Sequence, residues 1–414
     1  MARYPHHQRG DQSVNLAFAH HLDVRQSAES RKPGAVGIHS AAENIALHLK
    51  AGSSGFHYLA PLRNVCTPLA AARILLYQKL TRKKYYGWAE PSLSRSYGKQ
   101  LSRKMENCSA QAVLCTEVKH AAFLKTNRPI AIWTDSLYGG LFDYYQTFTG
   151  LCRRTQLDLQ KLDRAAVKNC ARLIFASDWA AQRAMELYGA SSEQVKVVPY
   201  GANLTSGFSR TEAEKLVAEK SFDGVCRLLF TGVEWKRKGG DTAITAVEIL
   251  NAQGIRTEIT FLGTDPAKHM AQVPEFAKSA GFLSPAKPDE RARMEQLYRN
   301  AHFLIQPCRA ECFGHIFPEA SSFALPVVAS NTGGIPTAVH EGINGYCCDV
   351  ENAPAYAERI AALFSNPDTY RTLAIKAYDD YNARLSWQQA ARQVVNILEE
   401  NYNSASSAIS RLAP

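Results

Sequence analysis

The sequence AHFLIQPCRAECFGHIFPEASSFALPVVAS, residues 301–330, contains two short apolar runs at its ends. The runs Ala301–Pro307 and Pro326–Ser330 show no alternation of apolar and polar residues, which is typical of parallel strands buried on both faces. A helical pattern, Pro318–Ala324, lies between them. A strand, a helix and a second strand in this order predict one βαβ unit of a doubly wound α/β sheet.

The same pattern extends over the rest of the chain. In the second half it predicts further strands at Cys226–Gly232, Thr257–Gly263 and Gly345–Val350, with helices at Asp241–Asn251 and Asp289–Asn300. The first half is less regular, and its predicted strands are Val14–Phe18, Phe56–Ala60, Ala112–Cys115, Ile130–Thr134, Arg172–Ala176 and Val195–Pro199.

Two Rossmann-like domains that face a central cleft are therefore expected. We place the first domain at residues 1–203 and the second at residues 204–385. Residues 386–414 form a C-terminal helix and tail, whose amphipathic part, Ser386–Tyr402, is expected to pack back toward the first domain. Ligands of open α/β sheets bind at the carboxyl ends of the strands, so the cleft is the expected site.

The composition is that of an ordinary globular protein. The chain has 414 residues, of which 46% are hydrophobic and 21% charged, and no run of 18 apolar residues occurs. With no signal-peptide pattern at the N-terminus, we expect a cytoplasmic protein, with peripheral contact to the inner face of the membrane as an alternative. The ten cysteines form no CxxC pair and no His or Cys spacing is that of metal ligands, so free thiols and no metal site are expected.

The positive charge is concentrated in the first half. Residues 1–200 hold 27 Lys and Arg against 14 Asp and Glu, a net charge of +13, whereas residues 201–414 carry a net charge of −3. A basic half favours an anionic partner, such as a phosphorylated or lipid-linked acceptor, a membrane surface or nucleic acid, although it also serves solubility. The cluster Lys79–Tyr86 mixes cations with aromatic residues, which is typical of interfacial segments and also of helix ends.

The segment Arg309–Glu319 carries the strongest chemical signal. Gly314 allows the backbone to approach a ligand closely, and Pro318 suits the first turn of a helix. The N–H groups at that helix start favour a phosphate. Glu311 and Glu319 would repel a phosphate, so we expect them to accept hydrogen bonds from hydroxyls on either side of it. The alternatives are a solvated loop residue for Glu311 and a carboxylate that interacts with the helix dipole for Glu319.

Glu311 to Glu319 forms an E-x7-E motif, which resembles that of the retaining glycosyltransferases of family 4, the group 1 glycosyltransferases with a GT-B fold. The surrounding segments are similar to the same family: Tyr298–His302, Pro326–Ser330, Gly342–Tyr346 and Phe230–Gly240. The resemblance is good over residues 225–350 and weaker over residues 129–203. The first 125 residues are only loosely similar, as expected where an acceptor is recognised.

The resemblance implies roles for these positions. Glu311 would hold hydroxyls of the donor sugar, Glu319 the ribose of the nucleotide, and Lys238 would neutralise the diphosphate. The family often has an arginine directly after Gly232, where this chain has Val233, so a second cation would come from Lys236 or Arg237. The residues implied to face the sugar and diphosphate are Gly232, Cys312, Phe313, Gly314, His315 and Ile316.

Four weaker candidates lie in the first domain. Asp135 ends a predicted strand and would lie near the acceptor or sugar, as a general base or simply as a helix N-cap. Gly37 and His39 lie in an irregular segment, Gly34–Ser40, where the family has a glycine-rich turn beside the donor. Ser177 follows the strand that ends at Ala176 and is predicted to cap a helix.

The predicted function is retaining transfer of a sugar from a nucleotide-diphosphate sugar to an unidentified acceptor, which is a polysaccharide, a lipid-linked molecule or a small molecule. No cofactor or metal is expected, because no Asp-x-Asp motif occurs, and the dinucleotide and P-loop motifs are also missing from the sequence. Nucleic acid is not expected as a partner of such an enzyme. The alternative is a non-catalytic GT-B-like protein that binds an anionic glycan or a membrane surface.

Overall fold

The protein is described here by a computed structural model that covers residues 14–25, 36–64 and 68–412. Within these residues the chain forms two six-stranded sheets whose paired strands all run parallel. The two doubly wound sheets confirm the predicted fold class. The carboxyl ends of strands from both sheets border one cleft, as the contacts of the site described below show.

The first sheet has the strand order β2-β1-β3-β4-β5-β6. Its strands are β1 (Asn15–Ala19), β2 (Gly55–Tyr58), β3 (Ala112–Cys115), β4 (Ile130–Thr134), β5 (Arg172–Phe175) and β6 (Val195–Val197). The helices of this half are α1 (Val36–Gly52), α2 (Pro68–Thr81), α3 (Pro91–Glu106), α4 (Val118–Ala121), α5 (Arg153–Asn169) and α6 (Asp178–Tyr188).

The second sheet has the order β12-β11-β10-β7-β8-β9. Its strands are β7 (Cys226–Thr231), β8 (Thr257–Leu262), β9 (Ala277–Gly281), β10 (Phe303–Gln306), β11 (Val327–Ser330) and β12 (Gly345–Cys348). The helices are α7 (Arg210–Ala218), α8 (Trp235–Lys238), α9 (Gly240–Ala252), α10 (Pro288–Asn300), α11 (Ile316–Ser322), α12 (Ile335–Ala338), α13 (Ala353–Phe364), α14 (Pro367–Asp380) and α15 (Trp387–Leu412).

The predicted strands agree with the observed ones to within one or two residues at each end, but some elements were not predicted. β9 has the sequence AKSAG, which contains no apolar run. α7 lies in a polar stretch, yet Ser209 and Glu212 form a capping box that marks its start. The prediction that Gly34–Ser40 is a loop before the first helix is wrong for residues 36–40, which form the first turns of α1. Gly34 lies outside the described residues.

Helix α15 belongs to the core of the first half. Its apolar stripe, which the sequence predicted, is buried, and it packs along α1. Glu399 on α15 also accepts a hydrogen bond from the backbone N–H of Val14 at 3.1 Å. The domain boundaries that we place after residues 203 and 385 stay predictions. The buried residues of this stripe are Trp387, Ala390, Ala391, Val394, Val395 and Leu398.

The aromatic residues of the basic cluster Lys79–Tyr86 are turned into the protein. Tyr85 is 4% exposed, stacks on Tyr77 and hydrogen-bonds Glu90. Tyr86 donates a hydrogen bond to the carbonyl oxygen of Thr147 at 2.7 Å. Peripheral contact of this cluster with a membrane stays a prediction. Among the described helices, none has the length and apolar content needed to cross a membrane.

Replacing Leu398 by alanine should destabilise the protein strongly. Leu398 is fully buried on α15, so its loss leaves a cavity and should lower the free energy of unfolding by about 2–5 kcal/mol. The measurement is urea unfolding followed by circular dichroism. Gln393→Ala, at an exposed position of the same helix, is the control. An equal shift in the two variants would contradict the packing of α15.

Candidate active site

The centre of the cleft is a buried cluster of charges around Glu311. This residue follows β10 and is 7% exposed, and Lys238 at the end of α8 is 9% exposed. The Nζ of Lys238 donates a short hydrogen bond to Oε2 of Glu311, and Nη1 of Arg237 lies 3.3 Å from the same oxygen. Two cations therefore meet one carboxylate in the protein interior, and the alternative that Glu311 is a solvated loop residue is wrong.

The electrostatics of this cluster favour full ionisation. Burial by itself would raise the pKa of Glu311, but the charges of Lys238 and Arg237 and the hydrogen bonds to Glu311 lower that pKa to about 2. Burial would lower the pKa of Lys238, and the charge of Glu311 reverses this effect and raises it. All three groups therefore carry their charges at neutral pH.

Local backbone geometry holds the cations in place. A Cβ atom at Gly232 would lie 2.8 Å from Cγ of Lys238, so only glycine lets the lysine side chain lie across the end of β7. The N–H of Arg309 donates to the carbonyl oxygen of Arg237 at 2.7 Å, which ties α8 to the loop after β10. The guanidinium of Arg309 forms a bidentate ion pair with Asp241 at 2.9 and 3.0 Å.

The loop before α11 presents free backbone donors to the cleft. Among the hydrogen bonds of the described residues, none uses the N–H groups of residues 313–316. Gly314 has a φ of 88°, and a Cβ atom there would lie 2.6 Å from the ring of Phe317. Unpaired N–H groups at the start of a helix attract anions. The loop therefore adds to the positive potential of Lys238 and Arg237.

Glu319 lies on α11, away from this charge cluster. It is 7% exposed, and its Oε2 accepts a hydrogen bond from the hydroxyl of Tyr298 at 2.9 Å. The backbone of Asn203 and Leu204, in the segment that joins the two halves, also hydrogen-bonds its carboxylate. Burial nevertheless raises the pKa of Glu319 to about 7. The carboxyl group is therefore divided between its protonated and ionised forms at neutral pH.

Two tyrosines from the first half reach across the cleft to the loop that carries Glu311. The hydroxyl of Tyr145 lies 3.1 Å from Oε1 of Glu311 and accepts a hydrogen bond from the N–H of Cys312 at 3.0 Å. The N–H of Glu311 donates to the hydroxyl of Tyr144 at 2.9 Å. The guanidinium of Arg237 lies 4.8 Å from the ring centre of Tyr145. Neither tyrosine is predicted from the sequence, because both lie in a loop without a recognisable motif.

Asp135 directly follows β4, on the wall of the cleft that the first half forms. Its side chain is open to solvent, but the surrounding walls desolvate it and raise its pKa, and the charge of Glu311 acts in the same direction. Ser177 accepts a hydrogen bond from the N–H of Ala180, so it is a helix N-cap as predicted. The neighbouring Asp178 contacts Thr337 of the second half at 2.8 Å. The contact between Asp178 and Thr337 joins the first half of the protein to the second.

The other residues that the sequence predicts for the donor site lie in different surroundings. Lys236 points into solvent and pairs with Asp241 at 3.4 Å, whereas Arg237 faces Glu311, so Arg237 is the second cation at the cluster. His315 contacts the carbonyl oxygen of Gly201 at 3.0 Å through Nδ1. The structure places Gly37 in α1, and its role beside the donor stays a prediction. The buried or half-buried residues of the loop are Cys312, Phe313, Gly314, His315 and Ile316.

Comparison with known proteins shows which sequences the chain is similar to. Residues 214–380 match the sequence profile of the family described as glycosyl transferases group 1. The chain is 27% identical over 243 residues to the D-inositol 3-phosphate glycosyltransferase of Nocardiopsis dassonvillei, a match covering 56% of each chain. It is 23% identical over 309 residues to spore coat protein SA of Bacillus subtilis, covering 70% of this chain and 78% of that protein. The chain thus spans little more than half the length of the inositol-phosphate relative.

Solved structures show the same fold over nearly the whole chain. Sucrose-phosphate synthase from Thermosynechococcus elongatus has a TM-score of 0.65 at 15% identity, covering 95% of this chain and 100% of that one. Anabaena HepE, in complex with UDP and glucose, has a TM-score of 0.59 at 17% identity, covering 93% and 99%.

The two facing sheets and the cleft are therefore those of a GT-B protein, as predicted. Residues 214–380 are thus similar to the group 1 glycosyltransferases.

The raised pKa of Glu319 makes stability depend on pH. The folded protein retains a proton that the unfolded chain releases above about 4.5, so the free energy of unfolding should fall as the pH rises from about 4.5 to 7. The decline should be on the order of 3 kcal/mol, and Glu319→Gln should remove most of it. The measurement is denaturant unfolding at a series of pH values. The exposed carboxylate variant Glu186→Gln should behave as the wild type; a wild-type decline in Glu319→Gln would rule out this assignment.

Proposed function

We propose that the protein is a glycosyltransferase that moves a sugar from a nucleotide-diphosphate sugar to an acceptor bound by the first domain. The observation that carries this proposal is the excess of positive groups at the centre of the cleft. Lys238 and Arg237 face a single buried carboxylate, Glu311, while the second partner of Arg237, Glu234, is 46% exposed. The N–H groups of residues 313–316, which follow Glu311 closely in the chain, have no partner among the described residues. A diphosphate supplies the negative charge that this arrangement lacks.

The same groups account for the chemistry of bond cleavage. Negative charge grows on the leaving diphosphate as the bond to the sugar breaks, and fixed cations in a water-poor site stabilise that charge. Lys238 and Arg237 thus take the role that a metal ion has in other transferases, so donor cleavage is proposed to proceed without a metal. Their positions are already fixed by Glu311, Ala310 and Tyr145, which limits reorganisation during the reaction.

The two glutamates are proposed to hold the hydroxyls of the donor. Glu311 carries its charge, so it can accept hydrogen bonds from hydroxyls of the sugar once the diphosphate binds the cations. Glu319 lies on the other side of the loop and, because its carboxyl is partly protonated near neutral pH, it can both accept from and donate to a ribose hydroxyl. This arrangement follows the roles that the resemblance to family 4 implies.

The acceptor is proposed to lie on the first domain, near Asp135. Support for this comes from desolvation, which raises the pKa of the Asp135 carboxyl, and from the charge of Glu311, which acts in the same direction; a raised pKa suits proton exchange with an acceptor hydroxyl. In a front-face mechanism with retention, the leaving phosphate takes that proton and Asp135 only orients the acceptor. The net charge of +13 in residues 1–200 favours an acceptor with a phosphate group. A relative named for D-inositol 3-phosphate agrees with this class of acceptor.

The donor site is tested by replacing three neighbouring cations, Lys236, Arg237 and Lys238, one at a time and measuring the binding of a nucleoside diphosphate. Replacing Lys238 or Arg237 by alanine should weaken binding of a nucleoside diphosphate about 10- to 100-fold, because each removes a charge-assisted hydrogen bond. Transfer should fall by about 10²–10³-fold. Calorimetry with UDP, GDP and ADP measures the binding.

Lys236→Ala is the matched control, since this side chain lies in the same short helix but faces solvent. Circular dichroism checks that each variant is folded. Equal binding by all three variants and the wild type would refute the proposed donor site.

Retention is tested by the configuration of the product. With an α-linked donor, nuclear magnetic resonance of the freshly formed product should show an α-linkage, because the proposed front-face attack leaves the sugar on the side of the leaving group. A β-linked product would contradict this proposal. If no donor sugar is turned over or slowly hydrolysed and the protein binds anionic vesicles tightly, the alternative of a non-catalytic binding protein is correct.

A further inference from the structure

A second group of chemically reactive side chains lies at the carboxyl edge of the first sheet. His20 and His21 directly follow β1, and Glu117 and His120 lie just after β3, its neighbour in the sheet. The rings of His20 and His120 are 5.9 Å apart between centres, and that of His21 lies between 4.7 and 5.4 Å from the two others. Three imidazoles therefore surround one carboxylate.

The geometry centres on one oxygen atom of Glu117. Its Oε1 lies 3.9 Å from Nδ1 of His20, 3.9 Å from Nε2 of His120 and 2.9 Å from Nδ1 of His21. Potential ligand atoms of His20, Glu117 and His120 all lie within 4.8 Å of one another. In a tetrahedral site with ligand bonds of about 2.0–2.2 Å, such atoms are roughly 3.3–3.5 Å apart. Small side-chain rotations would bring these ligands to that separation.

His120 gives an independent reason to look for a ligand. Its side chain is fully buried, yet neither ring nitrogen has a hydrogen-bond partner among the residues that the structure describes. In its neutral form an imidazole has one ring nitrogen with a lone pair. A buried polar group without a partner is costly and rare in native proteins. A bound cation beside Glu117 would satisfy this lone pair.

We propose that His20, Glu117 and His120 form a binding site for a divalent transition metal ion, with Zn²⁺ as the preferred ion. Two imidazoles and one carboxylate are the donor set that suits Zn²⁺, whereas Mg²⁺ and Ca²⁺ prefer oxygen ligands alone. His21, at 2.9 Å from Oε1 of Glu117, either orients the carboxylate or serves as a fourth ligand.

The neighbouring groups are compatible with an ion at this position. Lys119 pairs with the other carboxylate oxygen, Oε2 of Glu117, at 2.7 Å, which leaves Oε1 turned toward the imidazoles. The hydroxyl of Thr116 lies 2.8 Å from Nδ1 of His20 and fixes that ring. A metal ion bound to Nε2 of His20 would leave the contact between Nδ1 and Thr116 intact, whereas an ion bound to Nδ1 would replace that contact. Partners of this kind orient the ligands in known metal sites.

The proposed metal site is separate from the donor site and does not depend on its function. Glu117 and Asp135 follow neighbouring strands, β3 and β4, so the ion would lie on the acceptor side of the cleft. Donor binding through Lys238 and Arg237 would stay independent of metal. The ion would connect the loops after β1 and β3 and add positive charge to the wall that faces the acceptor.

The test uses the untagged full-length chain after removal of metals with a chelator. Titration with ZnCl₂ by calorimetry should show one ion per chain with micromolar or tighter affinity. Titration with CoCl₂ should produce visible absorption bands of nitrogen- and oxygen-coordinated cobalt. His120→Gln and Glu117→Gln should each weaken binding at least about 100-fold and abolish the cobalt bands, since each removes a ligand.

His57→Gln, which changes a histidine on β2 of the same sheet, is the matched control and should bind as the wild type does. Circular dichroism confirms that the variants fold. Because His120 and Glu117 are replaced in separate variants, the test can still be made if one of the two does not fold. The proposal is overturned if the wild type binds no zinc at equimolar amounts, or if His120→Gln and Glu117→Gln bind zinc as tightly as His57→Gln.

Discussion

The interaction on which the site depends is the buried pairing of Glu311 with Lys238 and Arg237. Removing these charges from water costs several kcal/mol for each ion, and only mutual attraction with well-formed hydrogen bonds offsets that cost. The glycine at position 232 and the backbone contact between Arg309 and Arg237 fix the geometry that this requires. Arg237 also pairs with Glu234, whose carboxylate is 46% exposed, so the two cations outnumber the carboxylates only in the buried part of the cluster, and that is where an anionic ligand would be attracted.

The same cluster also connects the two halves of the protein. Tyr145 hydrogen-bonds Glu311 and stacks on Arg237, and Tyr144 accepts from the backbone of Glu311, so residues of the first half complete the surroundings of a charge in the second. A diphosphate that binds Lys238 and Arg237 would compete with Glu311 for both cations. Binding of a diphosphate would thereby also affect the contacts of Tyr145 with Glu311 and Arg237.

Much of the fold could be predicted from local sequence, whereas the contacts between distant segments could not. Buried parallel strands are short apolar runs, but β9, with its small and polar residues, gives no such signal. Lys236, Arg237 and Lys238 are consecutive, and only the packing of α8 decides which of them turn toward Glu311. Tyr145 lies in a loop without a motif. His20, Glu117 and His120 lack the sequence spacing of a metal site, because pairing of β1 with β3 brings them together.

The central claim is that the excess positive charge around Glu311 binds a diphosphate, and a crystal structure with a bound nucleoside diphosphate tests it most directly. We predict that the β-phosphate oxygens lie within hydrogen-bonding distance of Nζ of Lys238, the guanidinium of Arg237 and the N–H groups of residues 314–316. We also predict that the short contact between Lys238 and Glu311 lengthens. A nucleotide bound elsewhere, with the Glu311–Lys238 pair unchanged, would contradict the account.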